Sequence, residues 1–393
     1  MSAAVLEQAV ERFAGRRTAL GDGLGQRFAV LPSCEEPRCL LPVGNSRTTL
    51  EGFRFYTPRA FGARLLKGLL SGMVKTGWNG WPVHSLYVGE PLGLKVLITN
   101  VTGERSPVFA MLLGAPGRYR KLTIQVMRPG GQIIGYVKLG LSRAAGTRVR
   151  HEAAILEELP ALRPYVPRVL YSGAWQDSYL LFQSPVEGQP GPAELSGMHV
   201  EFLEKLAATH RVNKPGLRVV EEVGVRWNEV AWRCTWRDQQ LGAATLAEAR
   251  RELEGVMVPC GVAHGDFAPW NTRIREGRLA VFDWESGEWE APLGWDAFHF
   301  SVQVANRVKK GWRAKFELTA ASGARGLFLL YLLASLARTL DEQADFDGIE
   351  YRRVALADEL AAGLLLSPEL GPSQLRLTDF KQQLQRGHLL GRH

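Results

Sequence analysis

One stretch limits what this chain can be. His264-Gly265-Asp266-Phe267-Ala268-Pro269-Trp270-Asn271 is followed, after a short turn, by Leu279-Ala280-Val281-Phe282-Asp283-Trp284-Glu285. Polar side chains at fixed spacing thus precede an apolar, strand-like run that ends in a second carboxylate, and Gly261-Val262-Ala263 leads in from the other side. Metal-assisted transfer of a γ-phosphoryl group asks for this from two neighbouring loops. Asp266 is placed to orient a nucleophilic hydroxyl and take its proton. Asn271 offers an amide oxygen and Asp283 a carboxylate, hard ligands of the kind Mg²⁺ accepts beside phosphate oxygens and water. His264 stands two residues from Asp266, so in an extended loop its ring points to the other side. It reads as the residue that organises the catalytic loop rather than as the base. The plainer alternative is a polar turn, because Asp, Asn, Gly and Pro all favour turns.

At these residues the chain resembles the aminoglycoside phosphotransferase and choline kinase family of protein-kinase-like enzymes. The catalytic loop carries Gly265 after the His, where protein kinases usually carry Arg, and the metal segment Phe282-Asp283-Trp284-Glu285 lacks their Gly after the Phe. Both departures point to small-molecule kinases. The resemblance implies an α+β, bilobal fold with a small antiparallel-sheet N-lobe and a mainly helical C-lobe. It also implies ATP, with GTP not excluded, and Mg²⁺ as cofactors. Pro292-Leu293-Gly294-Trp295-Asp296 resembles the segment whose carboxylate braces the catalytic loop, and Asp296 also suits the start of a helix.

Lys138 lies inside the apolar strand Tyr136-Val137-Lys138-Leu139, where an ammonium needs a partner. Glu152, in the helix opening at Arg150, falls where the family's lysine-pairing glutamate lies; by resemblance Lys138 touches nucleotide phosphates and Glu152 holds it. The strands Val108 to Leu113 and Leu122 to Met127 flank a loop, Gly114 to Arg120, whose Gly114 and Gly117 would let backbone N–H groups approach phosphate. A hairpin turn without a ligand reads almost as well. Gln183-Ser184-Pro185-Val186-Glu187-Gly188 reads as the hinge, with Gln183 and Pro185 near the adenine edge.

The chain of 393 residues exceeds the roughly 250 to 300 that a bilobal enzyme of this kind uses. The surplus lies at the N-terminus, so the expected organisation is an extension over 1–100, a small lobe over 101–186 and a large lobe over 187–393. No apolar run reaches the roughly 18 residues that cross a bilayer, and Met1 to Arg17 has no cleavable apolar core, so a cytoplasmic location is expected. Cys34, Cys39, Cys234 and Cys260 are too scattered for a disulfide framework and read as free thiols. A net charge of +8 suits an anionic partner, but no lysine run interleaves with aromatics, which argues against nucleic acid.

The first residues to about Phe28 read as helix, 29–41 as irregular, and Leu50 to Tyr56 as a short strand. Residues 58–76 form a basic amphipathic helix, with Phe61, Leu65, Leu66, Leu69, Leu70 and Met73 on one face and Arg59, Arg64, Lys67 and Lys75 elsewhere. It packs on the kinase core or docks on an anionic membrane. Gly77 to Pro82 reads as a linker. Trp227, Trp232 and Trp236, set among arginines, read as helix core or as an acceptor pocket for a polyol. Beyond Asp296 the reading is helical, with a basic cluster at Arg307, Lys309, Lys310 and Arg313 and a polar tail from Leu377.

Together these readings specify an ATP- and Mg²⁺-dependent kinase for a hydroxyl of a small molecule or glycan, such as a sugar of envelope polysaccharide or glycolipid assembly. An aminoglycoside-modifying enzyme and a non-catalytic nucleotide-binding module are the alternatives.

Overall fold

The computed structural model describes residues 2–15, 25–56, 61–77, 84–308, 324–342, 356–358 and 360–361. Residues 78–82 of the expected linker Gly77 to Pro82, the cluster residues Lys309, Lys310 and Arg313, and the tail from Leu377 lie outside them, as do Arg59 and most of residues 352–366 in the stretch read as helical. Contacts divide the chain into two units, 1–157 with 167–185, and 158–166 with 186–393.

The first unit opens with α1 (Ser2–Ala14), β1 (Gln26–Pro32), β2 (Pro37–Pro42), α2 (Ser46–Phe55) and α3 (Phe61–Lys75). It continues through β3 (Ser85–Val88), α4 (Leu92–Thr102), β4 (Val108–Leu113), β5 (Lys121–Met127), β6 (Ile133–Gly140), α5 (Arg143–Glu157), β7 (Val169–Trp175) and β8 (Ser178–Gln183). All eight strands join one antiparallel sheet in the order β3-β1-β2-β4-β5-β6-β8-β7. The sheet therefore runs across the boundary expected near residue 100, because β1 to β3 extend the edge formed by β4.

Alternation sorts the side chains onto the two faces. Phe109, Met111 and Leu113 join Leu6, Val10 and Phe13 of α1 and Leu94 and Ile98 of α4, whereas Ala110 joins Phe53 of α2 and Leu70 and Val74 of α3. Two expectations fail here. Leu50 to Tyr56 is the second half of α2 rather than a strand; Asn45 caps that helix by accepting from the Arg47 and Thr48 amides, and Phe53 is buried. Phe28 belongs to β1 rather than to the first helix, and β1 and β2 occupy the stretch read as irregular. α1 is helical as expected and buries Ala9 and Phe13, four residues apart on one face.

The second unit contains β9 (Gln189–Pro190), α6 (Gly197–Thr209), β10 (Arg211–Pro215), α7 (Gly216–Val230) and α8 (Trp236–Leu253). These are followed by β11 (Met257–Ala263), β12 (Thr272–Arg275), β13 (Arg278–Val281), β14 (Glu288–Pro292), α9 (Trp295–Val308) and α10 (Ala324–Asp341). Two small sheets, β10-β11-β14 and β13-β12-β9, carry the loops of interest. The main core joins α7, α8 and α10 through Val223, Trp227, Leu253, Leu329 and Leu333. All four cysteines are free thiols.

Candidate active site

In the first unit the sheet positions Lys138. Its neighbours Val137 and Leu139 point into the core under α1 and α4, so Lys138 points to the opposite face. There its Nζ lies 2.5 Å from Glu152 Oε1, brought by α5, and both side chains are buried. A buried ammonium is tolerated only with such a partner. Gly114 and Gly117 lie in the hairpin between β4 and β5. The loop is held by Gly114 N donating to Lys121 O (2.9 Å) and Arg120 Nε donating to Gly114 O (3.0 Å). Gln183 ends β8, and Pro185 is the last residue of this unit before the chain enters the second.

In the second unit the chain leaves β11 into the catalytic loop. Gly265 has φ +75°, and a Cβ there would meet Ser286 O at 2.0 Å, so only glycine fits after His264. His264 is buried and used on both ring nitrogens. Nδ1 accepts from the Asp266 amide (3.2 Å), which leaves Nε2–H to donate to Phe282 O (3.0 Å). The ring thereby ties the catalytic loop to the residue before Asp283. Phe282 N donates to Asn271 O (3.0 Å), a second tie between the same segments. Apolar neighbours pin the polar ones: Phe267 stacks on Phe202 at 5.8 Å, and Trp284 lies edge-on to His264 at 4.7 Å.

Asp296, at the start of α9, accepts from His264 N (2.7 Å) and Gly265 N (2.9 Å), and so braces the loop. Arg338 of α10 donates to Gly265 O at 2.5 Å.

Asp266 is 39% exposed in its side chain, and each of its oxygens meets one donor. Asn271 Nδ2 donates to Oδ2 (2.8 Å) and to the Asp266 carbonyl (2.9 Å), and His299 Nε2 meets Oδ1 at 2.9 Å. Burial works against the charged carboxyl. The hydrogen bond from His299, the largest effect opposing burial, holds it below the usual carboxylate range, at about 2. Asp266 is therefore a carboxylate before any hydroxyl arrives.

His299 escaped the sequence reading, which absorbed it into an apolar helix. Its signal was the spacing. Three residues after Asp296, it lies on the same side of α9, so both reach the same loop.

The donor set fits a magnesium ion. A carboxylate cannot donate, so the Asn271 amide must direct Nδ2 at Asp266. Its Oδ1 makes no hydrogen bond among the described residues. Asp283 supplies a carboxylate from a left-handed backbone, φ +72°, a conformation uncommon outside glycine that clusters at functional sites. Amide and carboxylate oxygens suit Mg²⁺, which keeps few protein ligands and completes its shell with phosphate and water.

Of the three tryptophans only Trp227 is core. Trp232 and Trp236 are 71% and 75% exposed, so the helix-core alternative fails for these two. The guanidinium of Arg233 lies 4.9 Å from the Trp232 ring.

The family model described as the phosphotransferase enzyme family matches residues 136–293. No curated protein matches the chain. Among solved structures, aminoglycoside phosphotransferase APH(4)-Ia is 15% identical, with a TM-score of 0.50 over 71% of this chain and 100% of that one. A thermostable mutant of that enzyme in ternary complex with ADP and hygromycin B is 14% identical, with a TM-score of 0.50 over 71% and 99%. Choline kinase from Cryptosporidium parvum Iowa II is 8% identical, with a TM-score of 0.47 over 76% and 98%. At these identities the first two show a shared protein-kinase-like α+β fold. The stretch that is similar to the phosphotransferase enzyme family, residues 136–293, holds Lys138, Glu152, Asp266, Asn271 and Asp283.

Proposed function

We propose that the protein is an ATP- and Mg²⁺-dependent kinase for a hydroxyl of a glycan or other polyol, a sugar of envelope polysaccharide or glycolipid assembly being the preferred acceptor. The observation that carries the reading is Asp266, an ionised carboxylate held on both oxygens and tied to Asn271. The acceptor O–H points at this carboxylate. As the oxygen–phosphorus bond forms and the bridging bond to the β-phosphate breaks, the proton passes to Asp266. Asn271 Oδ1 and Asp283 would hold Mg²⁺, which when bound neutralises charge on the phosphate oxygens. Lys138, kept in place by Glu152, would contact the α- and β-phosphates. Gly114 and Gly117 would cover the phosphates, and backbone near Gln183 and Pro185 would meet the adenine.

Two features favour a polyol over a polycationic aminoglycoside. Of Glu285, Glu288 and Glu290, the carboxylates that could line an acidic pocket, two are engaged by the chain's own cations: Glu288 by Arg226 (2.8 Å) and Arg338 (3.8 Å), and Glu290 by Lys214 (3.0 Å). The exposed rings of Trp232 and Trp236, with Arg226 and Arg237 also exposed, offer apolar faces beside cations that suit a sugar. A non-catalytic role has no support in the residues, since Asp266, Asn271, Asp283 and Lys138 are all present. The test is Mg²⁺-dependent transfer from γ-labelled ATP to separate pools of sugars, nucleosides, amino alcohols and aminoglycosides. Labelled sugar is expected; label on the aminoglycoside pool alone would reverse the choice of acceptor.

A second reading, peripheral attachment to an anionic membrane, concerns α3. Leu66, Leu70, Met73 and Val74 pack inward, but Leu65 and Leu69 are 57% and 60% exposed. Phe61–Lys75 carries Arg64, Lys67 and Lys75 and no acidic residue, a composition that suits anionic headgroups. Among the described residues no helix is long and apolar enough to cross a membrane. Flotation with phosphatidylglycerol vesicles, lost in Leu65→Glu/Leu69→Glu and absent with phosphatidylcholine, is the expected result. Equal flotation of that variant would reject the attachment.

A further inference from the structure

The proton arrangement around Asp266 can be worked out from its partners. Asp266 Oδ1 can only accept, so the contact at 2.9 Å requires a proton on His299 Nε2. Behind the ring, Tyr331 Oη lies 3.1 Å from Nδ1. Tyr331 is fully buried in the second unit, and burial pushes its phenol well above the usual range, so it keeps its proton. A phenol that keeps its proton can donate it to Nδ1, and an imidazole that accepts there carries its single proton on Nε2. His299 itself is 7% exposed, and its ring lies edge-on to Tyr331 at 6.1 Å. The other histidine of the site cannot substitute, because both nitrogens of His264 serve the loop backbone.

We propose that His299 is the positioning residue for Asp266: held as its Nε2–H tautomer by Tyr331, it fixes the carboxylate rotamer and aims it at the acceptor hydroxyl. This rests on the kinase reading and adds a residue to it. One donor on each oxygen, Asn271 on Oδ2 and His299 on Oδ1, prevents the carboxylate from rotating, while each oxygen keeps a lone pair for the incoming hydroxyl. His299 moves no proton during transfer. The acceptor's proton goes to Asp266, and the imidazole keeps the one it had. A neutral donor suits this place better than Arg or Lys, since a permanent cation would oppose proton uptake by Asp266. Asp296 and His299, one turn apart on α9, divide the work: the first holds the loop backbone and the second the reacting side chain.

The test uses the full chain as wild type, His299→Ala, His299→Gln and Tyr331→Phe, with γ-labelled ATP, Mg²⁺ and the pooled sugars as acceptor. Gln can still place an N–H near Asp266. His299→Ala is expected to lower kcat about 10²-fold with the KM for ATP unchanged, because a misplaced catalytic group costs rate rather than nucleotide binding. His299→Gln should recover to within about tenfold of wild type, and Tyr331→Phe should lose less than His299→Ala. Long-range ¹⁵N NMR of histidine-labelled protein should show His299 as the Nε2–H tautomer, with mixed tautomers in Tyr331→Phe. A kcat for His299→Ala within twofold of wild type, equal damage in Ala and Gln, or an Nδ1–H tautomer in wild type would each overturn the assignment. Failure of the wild type to label any acceptor would overturn the kinase reading instead, and the tautomer would then decide the geometric claim by itself.

Discussion

The two units stabilise their charged residues in opposite ways. In the first, Lys138 and Glu152 form a sealed pair, with Nζ 2.5 Å from Oε1 and both side chains buried. In the second, Asp266 is half-buried in a mesh of His299, Asn271, His264 and Asp296 contacts that ends in backbone amides. A sealed pair fails as a unit when one member is lost. A mesh loses its members one at a time, each at smaller cost.

Substitutions can break that contrast. Lys138→Ala takes the ammonium away from the buried Glu152 carboxylate, and breaking such a pair from one side costs about 3–5 kcal/mol of stability, read by urea unfolding. Replacing the pair together, as Lys138→Met/Glu152→Leu, should recover most of that stability while transfer stays abolished. Transfer by the double variant would show that Lys138 has no part in phosphate binding.

The mesh predicts a gentler response. Asp296→Asn retains one acceptor oxygen for the two amides of His264 and Gly265, and losing one charged hydrogen bond costs about 1.5–3 kcal/mol. kcat should fall with it, because the loop carries Asp266. Unchanged kcat with lowered stability would reduce Asp296 to a helix-end residue.

How much of this was legible depends on where the constraint lay. The segment from His264 to Asn271 was readable as one ordered loop because Gly265 is required by a tight backbone approach to Ser286 and the polar residues bond to one another. Strands β4 and β5 were readable because each is a short apolar run bounded by turn residues and buried on both faces. α2 was not, since Phe53, Phe55 and Tyr56 are strand-favouring aromatics and the deciding signal, the Asn45 cap, lay upstream. β1 and β2 were hidden by prolines that bound the strands rather than break them. His299 was hidden because its partner, Asp266, lies 33 residues away, and its one local signal, the spacing from Asp296, sits inside an apolar helix.

Acid should separate the regions further. Glu248 in α8 is held at about 2, first by the Arg251 hydrogen bond and then by that of Arg325 in α10. Its folded value lies below the usual 4.5, so its contribution is present above about pH 4.5 and disappears as pH falls through about 2. The urea midpoint of Glu248→Gln should therefore lie below that of wild type at pH 7 and meet it near pH 2. A constant gap would reject the linkage.

The smallest structural effect is expected at the exposed rings. Trp232→Ala/Trp236→Ala should leave stability within about 0.5 kcal/mol of wild type while raising the KM for a sugar acceptor several-fold. An unchanged KM would remove these rings from the acceptor surface.

The central claim, phosphoryl transfer at Asp266, is tested most directly by single-turnover label transfer from γ-labelled ATP to a sugar acceptor at saturating Mg²⁺. Wild type should transfer, and Asp266→Asn should be slower by about 10³-fold with nucleotide affinity intact. Equal rates in the two proteins would contradict the account, whatever acceptor is used.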